Sequence, residues 1–238
     1  EINTRIQHKW QKGGALTALS ALYRDLGDHQ RAREYLDQAL VELSDQDNPH
    51  YIRALVEESL LNHLLGSHAQ ALTLAEQALA KSTVLPTLKA AAHKNAGHAL
   101  AGLQRWEAAR DHYLQARDLM ISLGQHHLAA EPSAGLAHIA LINTDLAAAS
   151  AHTEAIIDCI NKSPLVGPDR RLWIYLTCWK VLQQTGDNRT VDLVEQAYAL
   201  LQQCADSISD DTTRIAYLER INENRQIARI WHDLHPIK

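Results

Sequence analysis

Histidine is unusually frequent in this chain, at 14 of 238 residues. Imidazole can bind a metal ion, transfer a proton or donate a hydrogen bond near neutral pH. The densest groups are the adjacent His126 and His127 and the pair His232 and His235. Adjacent helical residues diverge, and only Asp233 stands beside the second pair as a further ligand. Because no HExxH sequence occurs either, we expect no bound metal ion.

A second set of histidines, His63, His98 and His138, recurs along the chain. In the repeat register derived below, all three fall on first helices and on the side that lines a concave surface. Equivalent positions on packed helices are about 8–10 Å apart, which suits hydrogen bonds along a ligand better than one metal ion. The plainer interpretation is three solvated polar side chains.

The sequence offers no catalytic arrangement, since it contains no GxSxG and no catalytic cysteine motif. Cys159, Cys178 and Cys204 form no CxxC pair and are expected to be buried as small hydrophobic residues. Glu58 and Asn62 lie one turn apart on a predicted packing face, where they are either a buried pair with partners or exposed. We expect exposure, because the second repeat departs from the pattern. We also expect no enzymatic activity and no cofactor.

Charge and hydropathy exclude several classes of partner. The net charge is −5 and no basic stripe is present, which argues against direct binding of nucleic acid. The apolar runs are too short for a membrane span, and the odd number of cysteines favours a reducing, cytoplasmic location. Because the chain opens on Glu1, we expect it to be a fragment of a longer protein.

The chain is rich in helix-forming residues and has no convincing strand, so we predict an all-α fold. A four-residue pattern recurs: a turn residue, alanine five later, an aromatic or aliphatic residue four later, and alanine three later. The five matches are Gly27, Ala32, Leu36, Ala39; Gly66, Ala71, Ala75, Ala78; Gln104, Ala109, Tyr113, Ala116; Thr144, Ala149, Thr153, Ile156; and, with one residue dropped, Gly186, Thr190, Val194, Ala197.

Each match follows a second amphipathic segment, so each unit reads as helix, tight turn, helix. Small residues such as Gly97 and Ala109 would let the two helices approach closely, while Leu100 and Tyr113 would fill the groove between neighbouring units. A single unit cannot bury its apolar face, so the units must stack.

This pattern resembles the tetratricopeptide repeat (TPR) over roughly residues 13–201, with a period of 38–40 residues instead of about 34. The departures are Glu58 and Asn62 in the second unit and Trp179 at a small-residue position in the fifth. The resemblance implies a right-handed superhelix of about five repeats in a single domain, 1–238. Its predicted parts are the tail of a preceding helix at 1–12, repeats at 13–45, 50–82, 87–123, 126–161 and 170–204, and a capping helix at 209–232.

The second half of the chain, Glu131 to Trp231, is also similar to the C-terminal helical repeat region of large bacterial signal-transduction ATPases and transcriptional activators. That resemblance implies a regulatory arm of a bacterial signalling or transcription-regulating protein. No phosphate-loop sequence GxxxxGK[ST] occurs, so any ATPase would lie outside these 238 residues.

Helical repeats usually bind partners in their concave groove, and we assign this groove by register. The candidate binding residues are Arg24, Arg53, Lys94, Asn95, His98, His138, Trp173 and Lys180. These donors favour an acidic peptide, a carboxylate or a polyol. Lys94 and Asn95 are similar to a carboxylate clamp used by TPR proteins that bind chaperone tails, but the other clamp positions do not match.

We therefore expect a non-catalytic interaction scaffold that binds a protein or peptide partner, or another domain of its own polypeptide. The alternative is a sensing domain for a small-molecule inducer in an ATP-dependent transcriptional activator. End faces of repeat arrays often self-associate, so the expectation includes a dimer.

Overall fold

The computed structural model describes residues 2–43, 48–162 and 170–236. Within these ranges every regular element is a helix, which confirms the predicted all-α class. The helices are α1 Ile2–Asp25, α2 His29–Glu42, α3 Pro49–Leu64, α4 His68–Lys81, α5 Pro86–Gly102, α6 Trp106–Ser122, α7 Ala130–Ile142, α8 Leu146–Lys162, α9 Arg171–Thr185, α10 Thr190–Asp206, α11 Asp211–Arg220 and α12 Asn222–Leu234. The end of the predicted first repeat, 44–45, lies outside the described residues.

The chain divides into two compact units, Glu1–Gln125 and His126–Lys238. In the first unit, α1 and α2, α3 and α4, and α5 and α6 pair as helical hairpins, and the first helices pack side by side as α1–α3 and α3–α5. In the second unit, α7 pairs with α8 and α9 with α10, and α7 packs on α9. This is the stacking that single hairpins need to bury their apolar faces.

The turn residue of every predicted repeat adopts a left-handed backbone. Gly27, Gly66 and Gly186 have φ of 77°, 79° and 70°, and Gln104 and Thr144 take the same place with φ of 58° and 57°. The tight turn between the two helices of a hairpin therefore requires a positive φ, whichever residue supplies it. In residues other than glycine this conformation causes steric strain, and the strain is greatest for a β-branched residue such as Thr144.

Replacing these two residues with glycine should therefore stabilise the chain. We expect Gln104→Gly and Thr144→Gly each to raise the free energy of unfolding by about 0.5–1 kcal/mol, after the entropy that glycine adds to the unfolded chain is deducted. Chemical denaturation of the purified chain measures the change. Gly66→Ala is the matched control, since no atom lies within 4 Å of the added methyl group and its destabilisation would report backbone strain alone.

The third hairpin shows why the pattern combines small and aromatic residues. A Cβ atom added to Gly97 on α5 would lie 2.6 Å from Cδ1 of Tyr113 on α6. Tyr113 is 1% exposed, and Ala109 and Ala116 on the same helix are fully buried. The tyrosine ring thus occupies the space that the missing side chain of Gly97 provides. The sequence predicted a close approach of the helices at Gly97, but it assigned Tyr113 to the groove between neighbouring units.

The second hairpin corrects one expectation. Asn62 is buried, and Glu58 is partly buried, because both contact Arg33 on α2. Arg33 Nη1 lies 3.2 Å from Glu58 Oε1, and Arg33 Nη2 donates to Asn62 Oδ1 at 3.2 Å. The expected exposure of this pair is wrong, since a cation from the preceding repeat supplies the partner that buried polar groups need.

The two ends of the chain also differ from the predicted parts. Residues 2–25 form one helix, so the segment assigned to a preceding helix runs without a break into the first repeat. The predicted single capping helix is two helices, α11 and α12, because Ile221 between them is extended with φ −75° and ψ 120°. Asn224 Nδ2 donates to the carbonyl oxygen of Tyr217 at 2.9 Å and fixes the bend.

Candidate functional site

Five of the eight predicted binding residues lie in the first unit, and four of these are buried. Arg24 and Lys94 are each 4% exposed, and Asn95 and His98 are each 1% exposed, whereas Arg53 is exposed. Their positions on the first helices were predicted, but their burial was not. Buried donors of this kind serve first as contacts between repeats.

Arg24 and Asn95 illustrate these contacts. Arg24 Nε on α1 lies 3.3 Å from Glu57 Oε1 on α3, and both side chains are less than one-tenth exposed. Asn95 Nδ2 on α5 donates to the carbonyl oxygen of Val56 on α3 at 2.7 Å. The three first helices α1, α3 and α5 are thus joined by polar contacts as well as by apolar packing.

The row of histidines predicted to lie along a ligand is packed more tightly than expected. The rings of His63 and His98 stack with centroids 5.3 Å apart, and Tyr113 Oη lies 2.8 Å from His98 Nδ1. The two histidines are not in equivalent positions: Ala71 and Ala109 are 38 residues apart, so the equivalent of His63 is residue 101, about one turn beyond residue 98.

In the second unit, two of the other three predicted residues are in contact, and the third, Lys180, is near enough to affect the charge state of His138. His138 on α7 makes an edge contact with Trp173 on α9, with ring centroids 6.4 Å apart. Burial lowers the pKa of His138, and the positive charges of Lys180 and Arg170 lower it further. All three predicted residues are half-buried, so each keeps some surface open to solvent.

Arg170 is a fourth member of this group that the sequence analysis missed. Its guanidinium lies 4.7 Å from the ring centroid of Trp173 and 2.5 Å from Glu223 Oε1 on α12. Its position could have predicted the contact, because Arg170 immediately precedes α9 and stands three residues before Trp173, and residues three apart on a helix share a face. We call His138, Arg170, Trp173 and Lys180 the basic–aromatic patch.

A separate cleft of about 300 Å³ opens elsewhere in the second unit. Its walls are largely apolar and come from α9, the start of α10 and α12, with Trp179, Leu182 and Ile230 among them. Asp187 lies on its rim and is held ionised, because hydrogen bonds from Arg189 lower its pKa to about 2. The cleft can accept a small apolar group.

Two of the three cysteines are poorly suited to nucleophilic chemistry. Burial raises the pKa of Cys178 to about 12 and also raises that of Cys159, so both thiols remain protonated near pH 7. Cys178 is fully buried, but Cys159 and Cys204 are only partly buried, which corrects the expected burial of all three. In the fifth repeat it is Cys178, not the partly exposed Trp179, that occupies the closely packed position.

The described ranges contain neither a three-ligand metal site nor a membrane-spanning helix. No group of three or more His, Cys, Asp or Glu side chains there is arranged to hold a metal ion. None of the helices in these ranges combines the length and apolar character needed to cross a bilayer.

No protein-family model matches the sequence, and no curated protein matches it. Several solved structures do resemble this chain. A Rap protein complexed with competence and sporulation factor matches with a TM-score of 0.63 and 16% identity, covering 95% of this chain and 64% of the Rap chain. This chain therefore spans just under two-thirds of that protein.

Two further structures match over most of both chains. The TPR-like repeats of a putative kinesin light chain from Podosopora anserina have a TM-score of 0.57 and 19% identity, covering 83% of this chain and 97% of that one. PilF of Pseudomonas aeruginosa has a TM-score of 0.56 and 17% identity, covering 97% of this chain and 95% of that one. At these identities the similarity concerns the fold, and the chain has a TPR-like helical-repeat fold.

Proposed function

We propose that this chain is a protein-interaction module that binds an acidic segment of a partner, or of its own longer polypeptide, at the basic–aromatic patch. The observation that carries the proposal is the convergence of His138, Trp173 and Lys180 with Arg170 in one unit, with part of each surface open. The Rap structure, which contains a bound factor, is consistent with an interaction role for this fold.

The charges of the patch favour a carboxylate. Arg170 and Lys180 are both cationic, and Glu223 contacts Arg170. An incoming carboxylate would therefore meet a positive potential from Lys180, and a half-buried setting screens that attraction less than open water does. Trp173 adds a flat apolar surface beside the charges, and tryptophan and arginine are the residue types that dominate binding energy at protein interfaces.

His138 makes the proposed binding sensitive to pH. Burial and the two neighbouring cations lower its pKa in the free chain. A bound carboxylate would offset those cations and raise that pKa, so binding would take up a proton. We expect affinity to increase as pH falls through the pKa of the bound state and to level off below the lower pKa of the free state. Titrations of one peptide at several pH values measure this trend.

A peptide array tests the proposal. Peptides rich in Asp and Glu are compared with versions in which Asn and Gln replace the acids, and the wild-type chain should retain only acidic members. Lys180→Met should weaken this binding about tenfold, the loss expected for one charge-assisted contact. Lys9→Met is the matched control, because Lys9 is exposed in the other unit. Equal retention of acidic and amide peptides, or equal loss in both variants, would refute the proposal.

A second candidate function is the sensing of a small molecule, and the cleft beside Trp179 favours it. A volume of about 300 Å³ is at the lower end of ligand pockets. We propose that any inducer would enter this cleft, in keeping with the resemblance to regulatory arms of bacterial activators. A metabolite screen by thermal shift, repeated on Val191→Trp to fill the cleft, tests this alternative, since only ligands of the cleft lose their effect in the variant.

A further inference from the structure

His93 on α5 and His112 on α6 face each other across the third hairpin. Their Nδ1 atoms are 3.0 Å apart, the distance of a hydrogen bond between the two rings, and their ring centroids are 5.1 Å apart. His93 is 7% exposed and His112 is half-buried, so the pair has one side toward the core and one toward solvent. The sequence analysis missed this pair, because its members are 19 residues apart and meet only through the register of the hairpin.

The separation of the two nitrogens fits a shared metal ion. At a usual metal–nitrogen distance of about 2.0–2.1 Å, two nitrogens 3.0 Å apart subtend an angle of about 95° at the metal. That angle suits adjacent positions in the tetragonal geometry of Cu²⁺ or Ni²⁺. A tetrahedral Zn²⁺ would need the nitrogens to separate to about 3.4 Å, which requires the two helices or rings to move.

The surroundings also favour a cation. The carboxylates of Glu76 on α4 and Asp111 on α6 place negative charge near His112, and the ammonium group of Lys89 on α5 places positive charge near His93. These three neighbours therefore carry a net negative charge. No third side chain completes a ligand set in the described part of the chain, so water would fill the remaining positions.

We propose that His93 and His112 form a two-imidazole binding site for a divalent transition-metal ion, with Cu²⁺ preferred over Ni²⁺ and Zn²⁺. The order follows from the angle at the metal and agrees with the general affinity order of these ions. A metal held from both helices would link α5 to α6 and stabilise the third hairpin. The site is independent of the basic–aromatic patch, which lies in the other unit.

The test is a titration of the chelator-treated chain with CuCl₂, NiCl₂ and ZnCl₂, followed by calorimetry and thermal shift. We expect one tight equivalent of Cu²⁺, a rise in melting temperature, and weaker binding of the other two ions. His112→Gln should reduce the affinity for that equivalent at least tenfold. His112 is half-buried, so this variant should fold, and its melting temperature without metal verifies that it does.

Two double variants serve as controls for the histidine pairs that are close in sequence: His126→Gln with His127→Gln, and His232→Gln with His235→Gln. Both should keep the tight equivalent and the thermal shift. Binding that survives in His112→Gln, or that disappears in either control, would overturn the proposal and indicate an adventitious ion only. The absence of any tight Cu²⁺ equivalent in the wild-type chain would overturn it as well.

Discussion

Gly97→Ala is expected to lower the free energy of unfolding by about 1–3 kcal/mol, the usual cost of overfilling a packed core. Alanine is the better helix former by about 0.5–1 kcal/mol, so helix propensity alone predicts the opposite sign. The clash decides the outcome, because the new methyl group would lie 2.6 Å from a tyrosine ring that is 1% exposed. That ring cannot easily turn away, since Tyr113 Oη lies 2.8 Å from His98 Nδ1.

A double variant separates the clash from other effects. In Gly97→Ala combined with Tyr113→Leu, the added methyl group meets a smaller side chain. The pair should therefore be less destabilised than the sum of the single variants, as measured by chemical denaturation and by hydrogen exchange in α5 and α6. Additive effects, or a stabilised Gly97→Ala, would show that the two residues are not in contact.

The second large effect is expected at Arg24. We expect Arg24→Met to cost about 3–5 kcal/mol, the range for removing one partner of a buried ion pair. The carboxylate of Glu57, 9% exposed, would lose the guanidinium that lies 3.3 Å away. Replacing both residues in Arg24→Met with Glu57→Met should restore much of the loss, because no uncompensated charge then remains buried.

Arg31→Met is the matched control for this experiment. Arg31 lies 3.4 Å from Asp28, but its side chain is 58% exposed, and exposed pairs contribute only about 0–1 kcal/mol. If Arg24→Met and Arg31→Met changed the free energy of unfolding equally, the structural role of Arg24 would be contradicted. Arg24 would then again be a candidate for binding a partner.

The sequence predicted the repeats because their signals are local. A turn residue followed at fixed distances by alanine and an aromatic residue marks a hairpin, and the positive φ of Gln104 and Thr144 shows that the spacing matters more than the residue type. The need for a small residue at Gly97 followed from the same pattern, but its contact with Tyr113 did not.

The burial of the site residues and the identity of their contact partners were harder to predict, since both depend on contacts between helices and between repeats. Lys94 and His98 lie on the expected helix, but the register alone could not show that they are 4% and 1% exposed. Arg33 reaches Glu58 and Asn62 from another repeat. The pairing of His93 with His112 depends on how two antiparallel helices align, which the spacing in the chain does not reveal.

The most direct test of the proposed interaction is an NMR titration of the labelled chain with an acidic peptide selected on the array. We predict that the indole N–H signal of Trp173 and the imidazole signals of His138 shift with the same affinity, and that the peptide with amides in place of its acids leaves both unchanged. Saturable binding that leaves these two signals in place, or that moves them equally with the amide peptide, would contradict this prediction.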